Sequence, residues 1–240
     1  MRIAVFGDAH AHADALDAVV AAADHAEVDA LWSLGDMIGG GPDPVHVVRT
    51  TRARCSVALM GNHDYAATGS VDPSRLGDAT ASLLHAQATL SEDDLDWMRH
   101  RRPAARREGV QCWHGGPRNP VWEFVTPSTA PAALKLQRAD LGLVAHTHTA
   151  AAFTPGRRRV PIVLDEPLDV STGKWLLNPG AVGAPVPPRK GWFAALDAEA
   201  ADGAFWLELD VEQRTATWHR APYDPAPARE RARALGLDDG

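Results

Sequence analysis

The chain has 240 residues, 45% of them hydrophobic, and a formal net charge of −7 at neutral pH, enough for a large α/β domain but the wrong sign for a dedicated nucleic-acid binder, which needs a basic face. Two cysteines, Cys55 and Cys112, argue against a disulfide scaffold and for a reducing compartment. No apolar run reaches the length of a bilayer span, and the opening apolar segment is too short for a signal peptide, so a cytoplasmic location is expected.

The first 60 residues alternate strand and helix. Residues 3–6 read as a short apolar strand, and 14–25 as a helix with Leu16, Val19, Val20 and Ala23 at helical spacing. Residues 30–34 form the next strand, 44–52 a helix that opens on Pro44, and 57–60 a third strand. This order predicts parallel pairing with right-handed crossovers, so that the polar ends of all three strands open on one edge. Residues 78–102 read as two helices, the second with Ser91 as N-cap and Asp94 in the third helical position. A strand over 110–113, a helix over 132–138 and a strand over 141–145 follow. Hairpin patterning then takes over, with strands expected at 151–153, 160–164, 175–177, 192–196, 204–209 and 215–219. The pattern fits one domain of two packed mixed sheets over residues 1–220. Residues 221–240 form a Pro-, Ala- and Arg-rich tail with a short helix over 228–235.

Metal-ligand residue types collect at the strand ends. Asp8-Ala9-His10 follows the first strand, and if the backbone stays extended, residues i and i+2 point to one face. Gly35-Asp36 follows the second and Gly61-Asn62-His63-Asp64 the third. Trp113-His114-Gly115-Gly116 and Ala145-His146-Thr147-His148 close two later ones.

These five motifs, in this order, resemble the calcineurin-like metallophosphoesterase superfamily, whose signature runs D-x-H, G-D, G-N-H-D/E, H and G-H-x-H. The likeness sharpens toward its compact bacterial and archaeal phosphodiesterase-like members. It does so through Gly39-Gly40-Gly41-Pro42-Asp43-Pro44, His114-Gly115-Gly116-Pro117-Arg118-Asn119-Pro120 and Asn178-Pro179-Gly180-Ala181-Val182-Gly183. It covers residues 1 to about 185 and implies a four-layer α/β/β/α sandwich with the metal site at the strand ends. The resemblance makes Asp36 a bridging ligand. Asp8, His10 and His148 complete one metal, and Asn62, His114 and His146 the other. Mixed nitrogen and oxygen donors suit two divalent ions such as Mn, Fe, Ni, Co or Zn better than Mg or Ca. The implied reaction is attack of a metal-bridging hydroxide on a phosphate ester, a small phosphodiester or nucleotide being the expected substrate. His63 is implied to face the substrate and to protonate the leaving oxygen or stabilise the phosphoryl group, tasks imidazole suits near neutral pH. Asp64 is expected to orient a neighbouring group, and Arg118 to reach a phosphate oxygen or form a surface salt bridge.

Other readings stand beside these. A phosphomonoesterase or protein phosphatase would use the same core. A non-catalytic interaction scaffold ranks low because His63 and all the ligand positions are kept. His12 reads as a solvated loop histidine, and Arg157-Arg158-Arg159 as a solvated hairpin turn. Trp97 and Trp206 read as packing residues, and Trp113 and Trp122 as residues flanking the site. Three departures from the pattern bear on the pocket wall and not on the ligands: His12 where Asn is usual, Ala145 in place of Gly, and the Pro-rich run over 184–189.

Overall fold

Successive side chains of a strand point to opposite faces, and this sets the layers of the chain. In the computed structural model, which describes residues 1–183 and 203–237, the first strand β1 (Arg2–Phe6) is buried on both faces. Its Ile3 and Val5 enter one core cluster and its Ala4 and Phe6 another, as alternate side chains of a strand must. Six-stranded mixed sheets lie on either side of the first cluster.

One sheet has the order β3 (Cys55–Ala58), β2 (Ala30–Ser33), β1, β11 (Ala204–Asp210), β12 (Thr215–Ala221), β9 (Leu168–Asp169). The other has the order β4 (Ala104–Arg107), β5 (Val110–Trp113), β6 (Leu141–Leu143), β10 (Trp175–Asn178), β7 (Ala151–Thr154), β8 (Arg157–Val160). Ile3, Val5, Leu207 and Leu209 of one sheet meet Val110, Cys112, Leu141 and Leu177 of the other. On the far side of the first sheet, α1 (Ala13–His25) buries Leu16, Val19 and Val20, and α2 (Pro44–Arg54) buries Val47 and Val48. On the far side of the second, α6 (Ala130–Leu136) packs Ala133 and Leu134 against Phe153 and Leu176. The result is the expected α/β/β/α sandwich.

The strand–helix alternation predicted for the first 60 residues gives parallel β1–β2 and β2–β3 pairs. Two helices, α4 (Thr80–Thr89) and α5 (Glu92–Arg99), occupy the 78–102 segment. Ser91 caps α5 reciprocally: its Oγ accepts from Asp94 N at 3.2 Å, and its own N–H reaches Asp94 Oδ2 at 3.4 Å. Arg49 of α2 adds a hydrogen bond to Asp94 Oδ2 at 3.0 Å.

Several expectations need correction. The strand placed at 57–60 runs over Cys55–Ala58, and the one placed at 160–164 is Arg157–Val160. The hairpin turn is Pro155–Gly156, so Arg157, Arg158 and Arg159 begin a strand and are not themselves the turn. β4, with the sequence AARR, carried no strand signal. Both β4 and β8 are sheet edges, where charged residues discourage pairing with another chain. The strand expected at 192–196 lies outside the described residues, as does the run over 184–189.

Within the tail, α7 (Ala226–Ala234) docks on its own chain. Ala228 and Ala232 are buried. Arg231 binds Asp43 through two nitrogens, at 2.8 and 3.0 Å, and Asp14 at 2.7 Å. Among the described residues, no helix is long and apolar enough to cross a membrane.

Candidate metal centre

The loops that follow β1 and β2 are laced together by their backbones. Asp8 N donates to Gly35 O at 2.9 Å, His10 N to Asp36 O at 3.0 Å and Ala11 N to Met37 O at 2.8 Å. The chain therefore does not run on extended after Phe6. Asp8 and His10 have φ of 55° and 46°, and this overturns the expectation that extended i, i+2 geometry aims them together. Asp36, His146 and His148 also have positive φ, at 51°, 65° and 58°. Left-handed backbone is unfavourable for residues with a β-carbon, and such strain collects where side chains must be aimed. Gly61 faces the opposite demand: a β-carbon there would fall on Asp36 Oδ1.

Asn62 and His63 stand in the first turn of α3 (Asn62–Ala67), a short helix that sequence patterning missed. His114 follows β5. His146 and His148 follow β6, held in part by His146 N donating to Asp8 Oδ2 at 3.1 Å. The structure brings all seven candidate ligands together in two groups. In one, His148 Nε2 lies 2.9 Å from His10 Nε2 and 3.7 Å from Asp8 Oδ1. In the other, His114 Nε2 lies 3.1 Å from Asn62 Oδ1, 3.3 Å from His146 Nδ1 and 3.4 Å from Asp36 Oδ2. Asp36 Oδ2 is also 3.8 Å from His10 Nε2, so this carboxylate touches both groups. Donor atoms of His10, Asp36 and His63 form a third set of similar spacing.

The donor set fits cations. His10 Nδ1 lies 2.6 Å from Gly39 O, and His114 Nδ1 3.0 Å from Leu34 O. A carbonyl can only accept, so each Nδ1 carries the hydrogen, and in the neutral ring Nε2 is a lone pair. Lone pairs and carboxylate oxygens converging at 2.9–3.4 Å are favourable around positive charge and repulsive without it. The electrostatics agree. Burial pushes Asp8 up to about 8, with Asp36 adding to it, and pushes Asp64 up to about 7 in the same way. Burial also drives His10 well below its ordinary value and His146 down to about 3. Burial opposes charge on Asp36 and on His114 too. There the pair prevails, holding Asp36 low and raising His114 to about 9. A proton on His114 Nε2 is one cation these carboxylates would draw in; a divalent ion would also satisfy Asn62 and His146.

Asp64 is fully buried and supports the frame. Its Oδ1 accepts from Met37 N at 3.0 Å and Ile38 N at 3.4 Å, and its Oδ2 from Gly61 N at 2.9 Å. It thus joins the loop carrying Asp36 to the one carrying Asn62. The N–H of His63 donates to Asp36 Oδ1 at 2.9 Å, and its ring makes a T-shaped pair with that of His10, centroids 4.7 Å apart. Arg118 is half exposed, with Nε on Glu123 Oε1 at 2.7 Å, the ion-pair arrangement weighed above. His12 departs from the solvated reading: burial lowers its pKa, and its Nε2 is enclosed without a hydrogen-bond partner among the described residues. Trp113 is buried against α6, Trp97 and Trp206 pack against the helix-side core, and Trp122 is exposed. The residue missed was Phe124, whose ring stands 4.0 Å from that of His146. Its signal was the Trp122-Glu123-Phe124 run soon after the histidine motif.

Comparison with known proteins points to one family. A family profile described as a calcineurin-like phosphoesterase superfamily domain matches residues 1–201. An uncharacterised protein of Methanocaldococcus jannaschii is 28% identical over 195 residues, 76% of each chain. A symmetrical bis(5'-nucleosyl)-tetraphosphatase of Burkholderia mallei is 30% identical over 115 residues. That match spans 46% of this chain and only 37% of the relative. A metallophosphoesterase structure from Sphaerobacter thermophilus superposes with a TM-score of 0.84 at 29% identity, covering 100% of this chain and 95% of the other. A hypothetical protein of Pyrococcus horikoshii shares the fold, with a TM-score of 0.78 at 17% identity over 99% of this chain and 94% of its own. The profile match over most of the chain, laid on the two donor groups that meet at Asp36, leads to one conclusion: the chain belongs to the calcineurin-like phosphoesterase superfamily.

Proposed function

We propose that the protein is a binuclear metal-dependent hydrolase of a phosphate ester, a phosphodiester or nucleotide in preference to a monoester. The observation that carries this reading is the pair of donor groups sharing the Asp36 carboxylate. Asp8, His10 and His148 would hold one divalent ion, Asn62, His114 and His146 the other, with Asp36 between them. Bound there, two such ions supply Lewis acidity and a water acidified enough to act as nucleophile near neutral pH.

The chain's own residues do the rest. The carbonyls of Gly39 and Leu34 fix the tautomers of His10 and His114, which keeps their Nε2 atoms turned to the centre. Asp64 holds the two ligand loops at a fixed spacing. His63, tethered to Asp36 through its backbone, would give a proton to the departing oxygen. Arg118 holds Glu123 through Nε beside the site, and its two terminal guanidinium nitrogens would be the ones to meet a phosphate.

Protein reconstituted with Mn or Zn should hydrolyse nitrophenyl and nucleotide diesters faster than the matching monoesters, and a chelator should stop it. No turnover of any ester after metal loading would refute the enzymatic reading. A monoester preference would move it to the phosphomonoesterase alternative.

A further inference from the structure

We infer that Phe124, with Trp122 two positions before it in sequence, forms a platform for the aromatic base of a nucleotide whose phosphate sits at the metal centre. This inference rests on the phosphoesterase reading. Of the six exposed large hydrophobic side chains among the described residues, the two aromatic ones are Trp122, 40% exposed, and Phe124, 53% exposed. Both lie in the loop that leaves the candidate ligand His114. The Phe124 ring is tilted 31° to the His146 ring with centroids 4.0 Å apart. His146 presents Nδ1 to the centre, 3.3 Å from His114 Nε2. An exposed aromatic face therefore begins one imidazole ring away from where an ester phosphate would be held.

The exposure is built, not a consequence of a slack loop. Glu123, between the two aromatics, is itself buried. Its Oε2 accepts from the backbone of Arg118 at 2.8 Å and of Asn119 at 3.4 Å, and its Oε1 from the Arg118 side chain at 2.7 Å. Asn119 Oδ1 accepts from Val121 N and Trp122 N, each at 3.1 Å. After Phe124 the chain is pinned again, by Thr129 Oγ1 donating to Phe124 O at 2.8 Å and by buried Val125 in the core with Ala130 and Leu134. Holding a large apolar ring in water within so fixed a loop forgoes the burial that would stabilise it. The gain lies in a flat ligand. Every nucleobase has a face that stacks on an aromatic ring, and no hydrogen-bond readout is needed.

The test compares ligands that differ only in the base. Binding of adenosine monophosphate and of ribose 5-phosphate to metal-loaded protein would be measured by calorimetry for the parent, Phe124→Ala, Phe124→Trp and Trp122→Ala. The parent should bind the nucleotide about tenfold or more tighter than the sugar phosphate, the usual scale for one stacked base. Phe124→Ala should erase most of that preference with ribose 5-phosphate affinity unchanged, Phe124→Trp should retain it, and Trp122→Ala should reduce it. Equal affinity of the parent for both ligands, or equal loss for both in Phe124→Ala, overturns the platform. Turnover assays on the same preparations report separately on the hydrolase reading. A chain that prefers the nucleotide but cleaves no ester would keep the platform and lose the proposed activity.

Discussion

The ring of His63 lies directly against Gly39: a β-carbon on Gly39 would fall on His63 Nδ1. Gly39 also has φ of +84° and gives its carbonyl to His10 Nδ1. One residue of the glycine-rich loop thus seats both the proposed acid and a candidate ligand. Gly39→Ala should displace His63, and the left-handed backbone adds roughly 1–2 kcal/mol of strain. His63→Ala tests the role itself. Turnover of esters with basic leaving groups should fall roughly 10²–10⁴-fold, and nitrophenyl esters should lose less, because nitrophenolate departs without a proton. His63 also has a donor atom in reach of His10 and Asp36, so metal content decides between acid and ligand. Two ions retained in His63→Ala supports the acid, and loss of an ion makes His63 a ligand.

Asp64 is expected to matter more for assembly than for chemistry. Asp64→Ala strands three backbone N–H groups, those of Met37, Ile38 and Gly61. Leaving buried donors unpaired should cost roughly 3 kcal/mol in all. For a chain of this size that lowers Tm by roughly 6–12 °C. Asp64→Asn keeps one acceptor oxygen and should fall between. A thermal melt of Asp64→Ala that overlays the parent would remove Asp64 from this role.

Asp94 gives a pH-dependent test away from the metal centre. The Arg49 hydrogen bond holds its carboxyl below the ordinary value of 3.8, against an opposing push from burial. A group whose folded pKa is depressed stabilises the fold above the unfolded value, and the contribution is lost as pH falls through the folded one. Asp94→Asn should therefore melt below the parent at neutral pH, and the gap should close as pH drops below about 4. A gap of constant size across that range would mean that charge is not what Asp94 contributes.

Much of the site was legible in the sequence because each candidate ligand follows a strand end, and parallel strands open on one edge. How Asp8 and His10 reach that edge was not legible. Their left-handed turns are set by hydrogen bonds to Gly35 and Asp36, residues more than twenty positions away, which local spacing does not record. Phe124 escaped for a related reason: exposure beside His146 follows from the loop that Glu123 and Asn119 fold, and an exposed Phe looks like a core Phe in sequence. The edge strands β4 and β8 were hidden by their arginines, since an edge position relaxes the alternation by which strands are recognised. The burial of His12 depends on its packing against Gly183, far along the chain.

Elemental analysis after reconstitution with Mn or Zn decides whether Asp36 joins a binuclear centre. The parent should hold two ions per chain. Asp36→Asn should weaken both together, because one carboxylate reaches His10 on one side and His114 on the other. A parent that holds at most one ion, or an Asp36→Asn variant that keeps both at parental affinity, would contradict the account.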